Sequence, residues 1–211
     1  MCSLRKLVIG GHVGSGNKVL KKLPDRLGDC KALEILILDK CKELEALPTT
    51  IGNLSNLQRI SMRECKAVKE LPSTIGNCKQ LVEVSLSKCI GLTSIPPSIS
   101  SWENVEDLVL NKCKNIAKLP DSLCTLKTLV LLDLRAMKKL TSLPRQIGDL
   151  SKLRSLDLRT CKKLETLPPS LGQLTKLEML DISDCVDLTV PKSLEKFKDI
   201  AHGWKDDIVE G

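Results

Sequence analysis

The sequence predicts an α/β solenoid. It should form a horseshoe of about eight stacked units, with one parallel strand per unit on the concave face and a short helical or 3-10 segment on the convex face. Three observations carry this. A phrase recurs at intervals of 24 residues, as in "CKELEALPTTIGNL" from Cys41, "CKAVKELPSTIGNC" from Cys65 and "CKKLETLPPSLGQL" from Cys161. Ahead of each phrase, leucine-type residues alternate with polar ones. The 211 residues are 42% apolar yet include one Phe, two Trp and no Tyr, so the interior has to be built from stacked aliphatic side chains.

The elements follow in order from the cysteine frame: Cys41, Cys65, Cys89, Cys113, Met137, Cys161 and Cys185. Upstream of each stand three apolar residues, first Leu33, Leu36 and Leu38, then Leu57, Ile60 and Met62, and so on to Leu177, Leu180 and Ile182. The last two of each triplet are separated by one residue, the period of a strand with one buried face, so strands are expected around Leu7, Leu36, Ile60, Val84, Leu108, Leu132, Leu156 and Leu180. Downstream each unit has an apolar pair and a proline, such as Leu164, Leu167 and Pro168. Proline cannot donate to a central ladder but suits the first turn of a short helix. A 24-residue period with the pattern LxxLxLxxC is a leucine-rich repeat. No unit buries its leucines alone, so stacking makes one continuous core.

Two units depart from the period. Leu4 to Leu33 spans 29 positions because "GGHVGSGN" is inserted in the first unit. The insertion has no Gly-Lys pair and is read as a surface loop rather than a phosphate loop; His12 within it has no ligand or catalytic partner nearby. At the other end Pro168 to Pro191 is 23 residues, after which Leu194, Phe197, Ala201, Trp204 and Ile208 are spaced 3, 4, 3 and 4. That spacing predicts a capping helix with Trp204 as its plug. The division expected is 1–197 as the solenoid and 198–211 as a C-terminal capping helix or tail. The first strand has no such cover and leaves an open sheet edge, to be met by further chain upstream or by a partner.

Ten cysteines would suit a disulfide framework, but "MCSLRKLVIG" does not read as a signal peptide, so the expectation is a cytoplasmic chain, with the nucleus also open, and free thiols. The repeated cysteines are expected to be buried where the chain bends inward, each offering a weak S–H donor to loop carbonyls, while Cys2 stays reduced and accessible. Set in a line at strand spacing they do not converge on a zinc ion, and no cofactor is expected. The charge of +7 is dispersed, without a basic tail or aromatic stacking set, and gives weak support to nucleic-acid binding. No apolar run approaches the ~18 residues of a membrane span.

The phrase "LRSLDLRTCKKLETLPPSLGQLTKLEMLDISDC" resembles the repeats of plant intracellular nucleotide-binding leucine-rich-repeat immune receptors, in which cysteine often replaces asparagine at the turn and "LPxxIGxL" follows. The shortened "CVDLTVPKSL" is similar to the last repeat of the helper class. The resemblance implies recognition of a pathogen effector or a guarded host protein, or contact with a nucleotide-binding domain held inactive. That domain, with its P-loop, is not in this sequence, so nucleotide hydrolysis is not carried over. A fragment, a truncated gene product and a free-standing relative all stay open.

Residues flanking the strand leucines face solvent and are the candidate protein-binding set: Ile35, Ile37, Arg59, Arg63, Glu83, Asp107, Asn111, Leu131, Asp133, Arg135, Asp157, Arg159, Met179 and Asp181. Asp133, Asp157 and Asp181 stack at strand spacing and repel one another unless Arg135 and Arg159 compensate. One reading is a surface salt-bridge lattice; the other is a charged recognition patch. Convex lysines such as Lys42, Lys114 and Lys162 belong to the repeat and should matter less. An enzyme is not expected, since the only histidines, His12 and His202, lie in the insertion and at the cap. The rival class is an intracellular signalling scaffold of the kind that binds small GTPases and phosphatases. Such scaffolds resemble a 23-residue period with asparagine at the turn.

Overall fold

The computed structural model describes residues 2–10, 16–204 and 208–209. Eight strands of three residues each stand where the alternating leucines predict them: β1 (Lys6–Val8), β2 (Ile35–Ile37), β3 (Arg59–Ser61), β4 (Glu83–Ser85), β5 (Asp107–Val109), β6 (Leu131–Asp133), β7 (Ser155–Asp157) and β8 (Met179–Asp181). Each pairs in parallel with the next, and the register runs through the central residues, from Leu36 opposite Ile60 to Leu156 opposite Leu180. Leu7 pairs with Leu36, so the five extra residues of the first unit do not shift the first rung. The strands are short because the chain must turn inward after the second leucine.

On the convex side each unit closes in a 3-10 turn, among them Asp25–Asp29, Thr49–Asn53, Ser73–Asn77 and Pro169–Gln173. Proline stands at the N-cap of all four, with φ between −64° and −69°, the value its ring imposes. The turns pack closely on one another, which is why glycine is placed in them: a Cβ on Gly148 would lie 2.0 Å from the Ser170 carbonyl oxygen. Inside, the leucine columns are sealed, with Leu36, Leu132, Leu156 and Leu180 fully excluded from water. Burying each such side chain stabilises the coil by about 1.5–3 kcal/mol. The core is not purely aliphatic. Trp102 occupies the column of Leu54, Cys78 and Leu126, is 1% exposed, and donates its indole N–H to the Ile75 carbonyl at 3.0 Å.

The turn after each strand combines two features. Lys40, Glu64, Lys88, Lys112, Ala136, Thr160 and Asp184 all adopt φ near +60°, the left-handed region that L-residues other than Gly and Asn rarely enter. The strain is held by bonds to the next coil, such as Lys40 N–H to the Arg63 carbonyl at 2.6 Å and Thr160 N–H to that of Ser183 at 2.8 Å. The cysteine that follows donates its thiol to the strand-end carbonyl one coil back: Cys65 to Leu38, Cys89 to Met62, Cys113 to Leu86, Cys161 to Leu134 and Cys185 to Leu158, at 2.9–3.2 Å. Among the described residues eight cysteines are buried and outside any disulfide. Burial pushes the thiols of Cys65, Cys113 and Cys161 up to about 12.

Both ends differ from the sequence expectation. Cys2 is not a free thiol: it forms a disulfide with Cys30, tying the segment ahead of β1 to the end of the first 3-10 turn. The two residues are 28 apart in sequence, a separation the period does not connect, so only the three-dimensional stack brings them together. At the C-terminus the described residues from Leu194 to Trp204 do not form one continuous helix. A 3-10 turn, Lys192–Phe197, is followed by strand β10 (Ala201–His202), and β11 (Ile208–Val209) pairs with β9 (Val190–Pro191). The reason lies in β8, whose outer edge presents backbone groups that a helix would leave unpaired. Strand β10 satisfies them, with Ile182 N–H donating to the His202 carbonyl at 2.9 Å, and becomes the ninth strand of the sheet. Gly203, at φ +75°, then turns the chain where a Cβ would lie 2.4 Å from the Ser183 Cα. Leu194 and Phe197 close the core; Trp204 is only half-buried against it. His12 lies outside the described residues.

Candidate protein-binding face

Because successive strand residues alternate sides, the residues between the buried leucines form three columns across the concave sheet. The middle column runs Val8, Ile37, Ser61, Ser85, Val109, Asp133, Asp157 and Asp181. Not all of it is available to a partner. Asp157 and Asp181 are 8% exposed, as is Asp39 in the neighbouring column, and Asn111 is 7% exposed.

These polar groups hold the coils together. The Asp133, Asp157 and Asp181 carboxylates each accept the backbone N–H two residues on, from Arg135, Arg159 and Ser183, all at 3.0 Å. Asp39 accepts the Arg63 N–H at 2.9 Å and the Ser61 hydroxyl at 2.5 Å, both from the next coil. Ser87 donates to Asn111, whose amide donates to Asp133. The repulsion among stacked carboxylates is offset by arginine. Arg159 Nη2 lies 2.9 Å from Asp157 and its Nε 3.2 Å from Asp181, so one guanidinium neutralises two coils. Those contacts hold Arg159 protonated above its ordinary value, the Asp157 hydrogen bond being the largest cause. Arg135 is more loosely placed, 3.9 Å from Asp133. The salt-bridge lattice is therefore present, and Asn111, Asp157 and Asp181 serve the coil rather than standing free of it.

What remains presented is a second set. Arg59 and Arg63 are exposed; Ile35, Ile37, Glu83, Asp107, Leu131, Asp133, Arg135, Arg159 and Met179 are half-buried. Arg59 pairs with Glu83 across adjacent strands at 2.5 Å. Partial burial raises the Asp107 carboxyl above its usual range, and Glu83 and Glu106 add to the effect. At the N-terminal end the face deepens into a cavity of ≈ 380 Å³ whose lining includes Lys6, Val8, Ile35, Ile37, Arg59 and Arg63. Among the described residues no group of three or more His, Cys, Asp or Glu is placed to hold a metal ion.

An open parallel sheet lining the inside of a stacked coil, with mixed apolar and charged side chains on its solvent face, is the binding architecture of repeat proteins. The chain belongs to the leucine-rich repeat family: residues 91–205, more than half of it, match the model of the leucine-rich repeat region. No curated protein sequence matches it. Among solved structures it is similar to a leucine-rich-repeat protein of Leptospira interrogans, at 28% identity and a TM-score of 0.78. That match covers 93% of this chain and 49% of the other, so the chain spans about half the length of that protein. It also shares the fold of the leucine-rich repeat domain of the type III effector XopL, at 24% identity and a TM-score of 0.61, over 90% of this chain and 72% of that one.

Proposed function

We propose that the chain is a non-enzymatic protein-recognition module that engages its partner through the concave sheet. The observation that carries this reading is the set of side chains the coil does not use. Ile35, Ile37, Leu131 and Met179 stand half-exposed among charged residues on one continuous surface, the mixture of anchor and rim that interfaces use. The setting proposed is innate-immune signalling in a plant cell, in the cytoplasm, with a pathogen effector, a guarded host protein or a nucleotide-binding domain as the partner. Support for the setting comes from cysteine at the turn followed by "LPxxIGxL".

The face is tested by recovery of binding proteins from plant leaf extract on wild type, on Leu131→Lys with Met179→Lys, and on a convex control, Lys114→Glu with Lys162→Glu. The expected result is a protein recovered by wild type and by the convex control but lost with the concave pair, while all three unfold at similar denaturant concentrations. Recovery unchanged by the concave pair and abolished by the convex one would assign binding to the other face.

A further inference from the structure

We infer that the N-terminal cavity of the concave face is a docking site for an extended acidic segment of a protein partner, with acidic side chains on either side of an apolar centre. The inference rests on the reading that the concave sheet binds protein, and it names where and with what chemistry.

The argument begins with which charges are already committed. In the C-terminal half, Arg159 is held by Asp157 and Asp181, and Arg135 stands beside Asp133. A partner would have to compete with those carboxylates. In the cavity the balance is reversed. The Asp39 carboxylate is occupied by the Ser61 hydroxyl and the Arg63 N–H, and Glu83 is occupied by Arg59. Among the described residues the Lys6 ammonium and the Arg63 guanidinium have no ion-pair partner, and both are exposed. Glu83 is neutralised by Arg59 while Asp39 keeps its charge under neutral donors, so with Lys6 and Arg63 the cavity lining carries one positive charge in excess.

The floor between them is apolar. Val8, on the solvent face of the terminal strand, is 49% exposed, and Ile35 and Ile37 beside it are half-buried. Lys6 lies in the first column on β1 and Arg63 in the third column on β3, so the two cations mark opposite corners of this floor. Strand rise and strand spacing put those corners roughly 16 Å apart at the backbone, the reach of about five residues of extended chain. An extended segment crossing the floor would lay branched side chains on Val8, Ile35 and Ile37 and bring a carboxylate to each corner. A cavity of ≈ 380 Å³ accommodates the central side chains of such a segment but not a folded domain. Complementary charge at the ends would set its direction and register.

The test is selection from a displayed library of random dodecapeptides on wild type, on Lys6→Glu with Arg63→Glu, and on Leu131→Lys with Met179→Lys. Both cavity cations are exposed, so the first double variant is expected to fold, and its denaturation midpoint is measured alongside. The expected outcome is enrichment of Asp or Glu flanking Val, Ile, Leu or Phe, with binding of the selected peptides weakened about tenfold or more by the cavity variant. Binding should fall with added salt and be retained by the Leu131/Met179 variant. Peptides that bind the cavity variant equally and lose affinity to the other would overturn this site while leaving the concave reading intact. Peptides indifferent to both variants would overturn both. Absence of any enriched peptide would overturn the linear-segment inference alone, since the extract experiment tests concave binding of a folded partner independently.

Discussion

Thr160 is the least expected of the seven residues with φ near +60°, because a β-branched side chain crowds the following carbonyl most in that conformation. Thr160→Gly should raise stability by about 1 kcal/mol, the relief of the left-handed cost less the extra freedom glycine brings to the unfolded chain. Denaturant unfolding of the two proteins measures this, and a lower midpoint for the glycine variant would show that the conformation is not strained. The thiols give a second prediction. Those of Cys65, Cys78, Cys113 and Cys161 rise from the ordinary 9.0 to about 12, chiefly through burial. Above pH 9 the unfolded chain sheds protons that the folded chain keeps, so this contribution is fully present below pH 9 and is lost as the pH climbs towards 12. Unfolding midpoints measured at pH 7.5 and 10.5 should fall, and fall less once Cys78 is replaced by Ala. At this scale the sequence was partly legible. The packing role of the cysteines and their weak donor capacity followed from position alone. The left-handed turns did not, because no Gly or Asn marks them and the bonds that impose them come from the neighbouring coil.

At the level of elements, the strands and the proline-led turns were legible because each repeats and its pattern is local. The C-terminal segment was not. Its 3-4-3-4 spacing describes a helical face, but the unpaired edge of β8 decides the outcome, and an edge leaves no periodic trace in the segment that covers it. Phe197, 5% exposed, now carries the closure expected of Trp204. Phe197→Ala should therefore cost about 3–5 kcal/mol, and Trp204→Ala, half-buried, distinctly less. Equal losses in thermal or denaturant unfolding would restore the tryptophan as the plug. The candidate site divides along the same line. The columns identified which residues line the concave surface, yet solvent-facing position did not distinguish Arg63, without an ion-pair partner among the described residues, from Arg159, held by two carboxylates. That difference depends on which neighbours sit one coil away.

The molecule as a whole is one interior rather than two, since the buried set runs unbroken from Leu23 to Phe197 and every coil meets only its neighbours. Stability should thus be distributed, with the ends opening first. The Cys2–Cys30 bond counters this at one end by holding the β1 coil to the next turn. Reduction is expected to speed amide exchange at Ile9, whose N–H donates to the Ile37 carbonyl, while leaving Leu132 and Leu156 at their protected rates, a comparison made by exchange measured with and without a reducing agent. Uniform acceleration across the chain would mean that the coils unfold as a single unit.

The direction of the ladder bonds has a mechanical consequence. Every backbone bond between coils, such as Leu38 N–H to the Ser61 carbonyl, points from one rung to the next and so lies near the line along which the two ends would be drawn apart. Tension applied at the ends therefore loads one rung at a time, as in peeling, instead of shearing all rungs together. Stretched between two anchors, the chain should give way at low force in successive steps, each releasing about one 24-residue unit, and wind back in the same increments when the load is removed. A single high-force rupture would show that the rungs share the load.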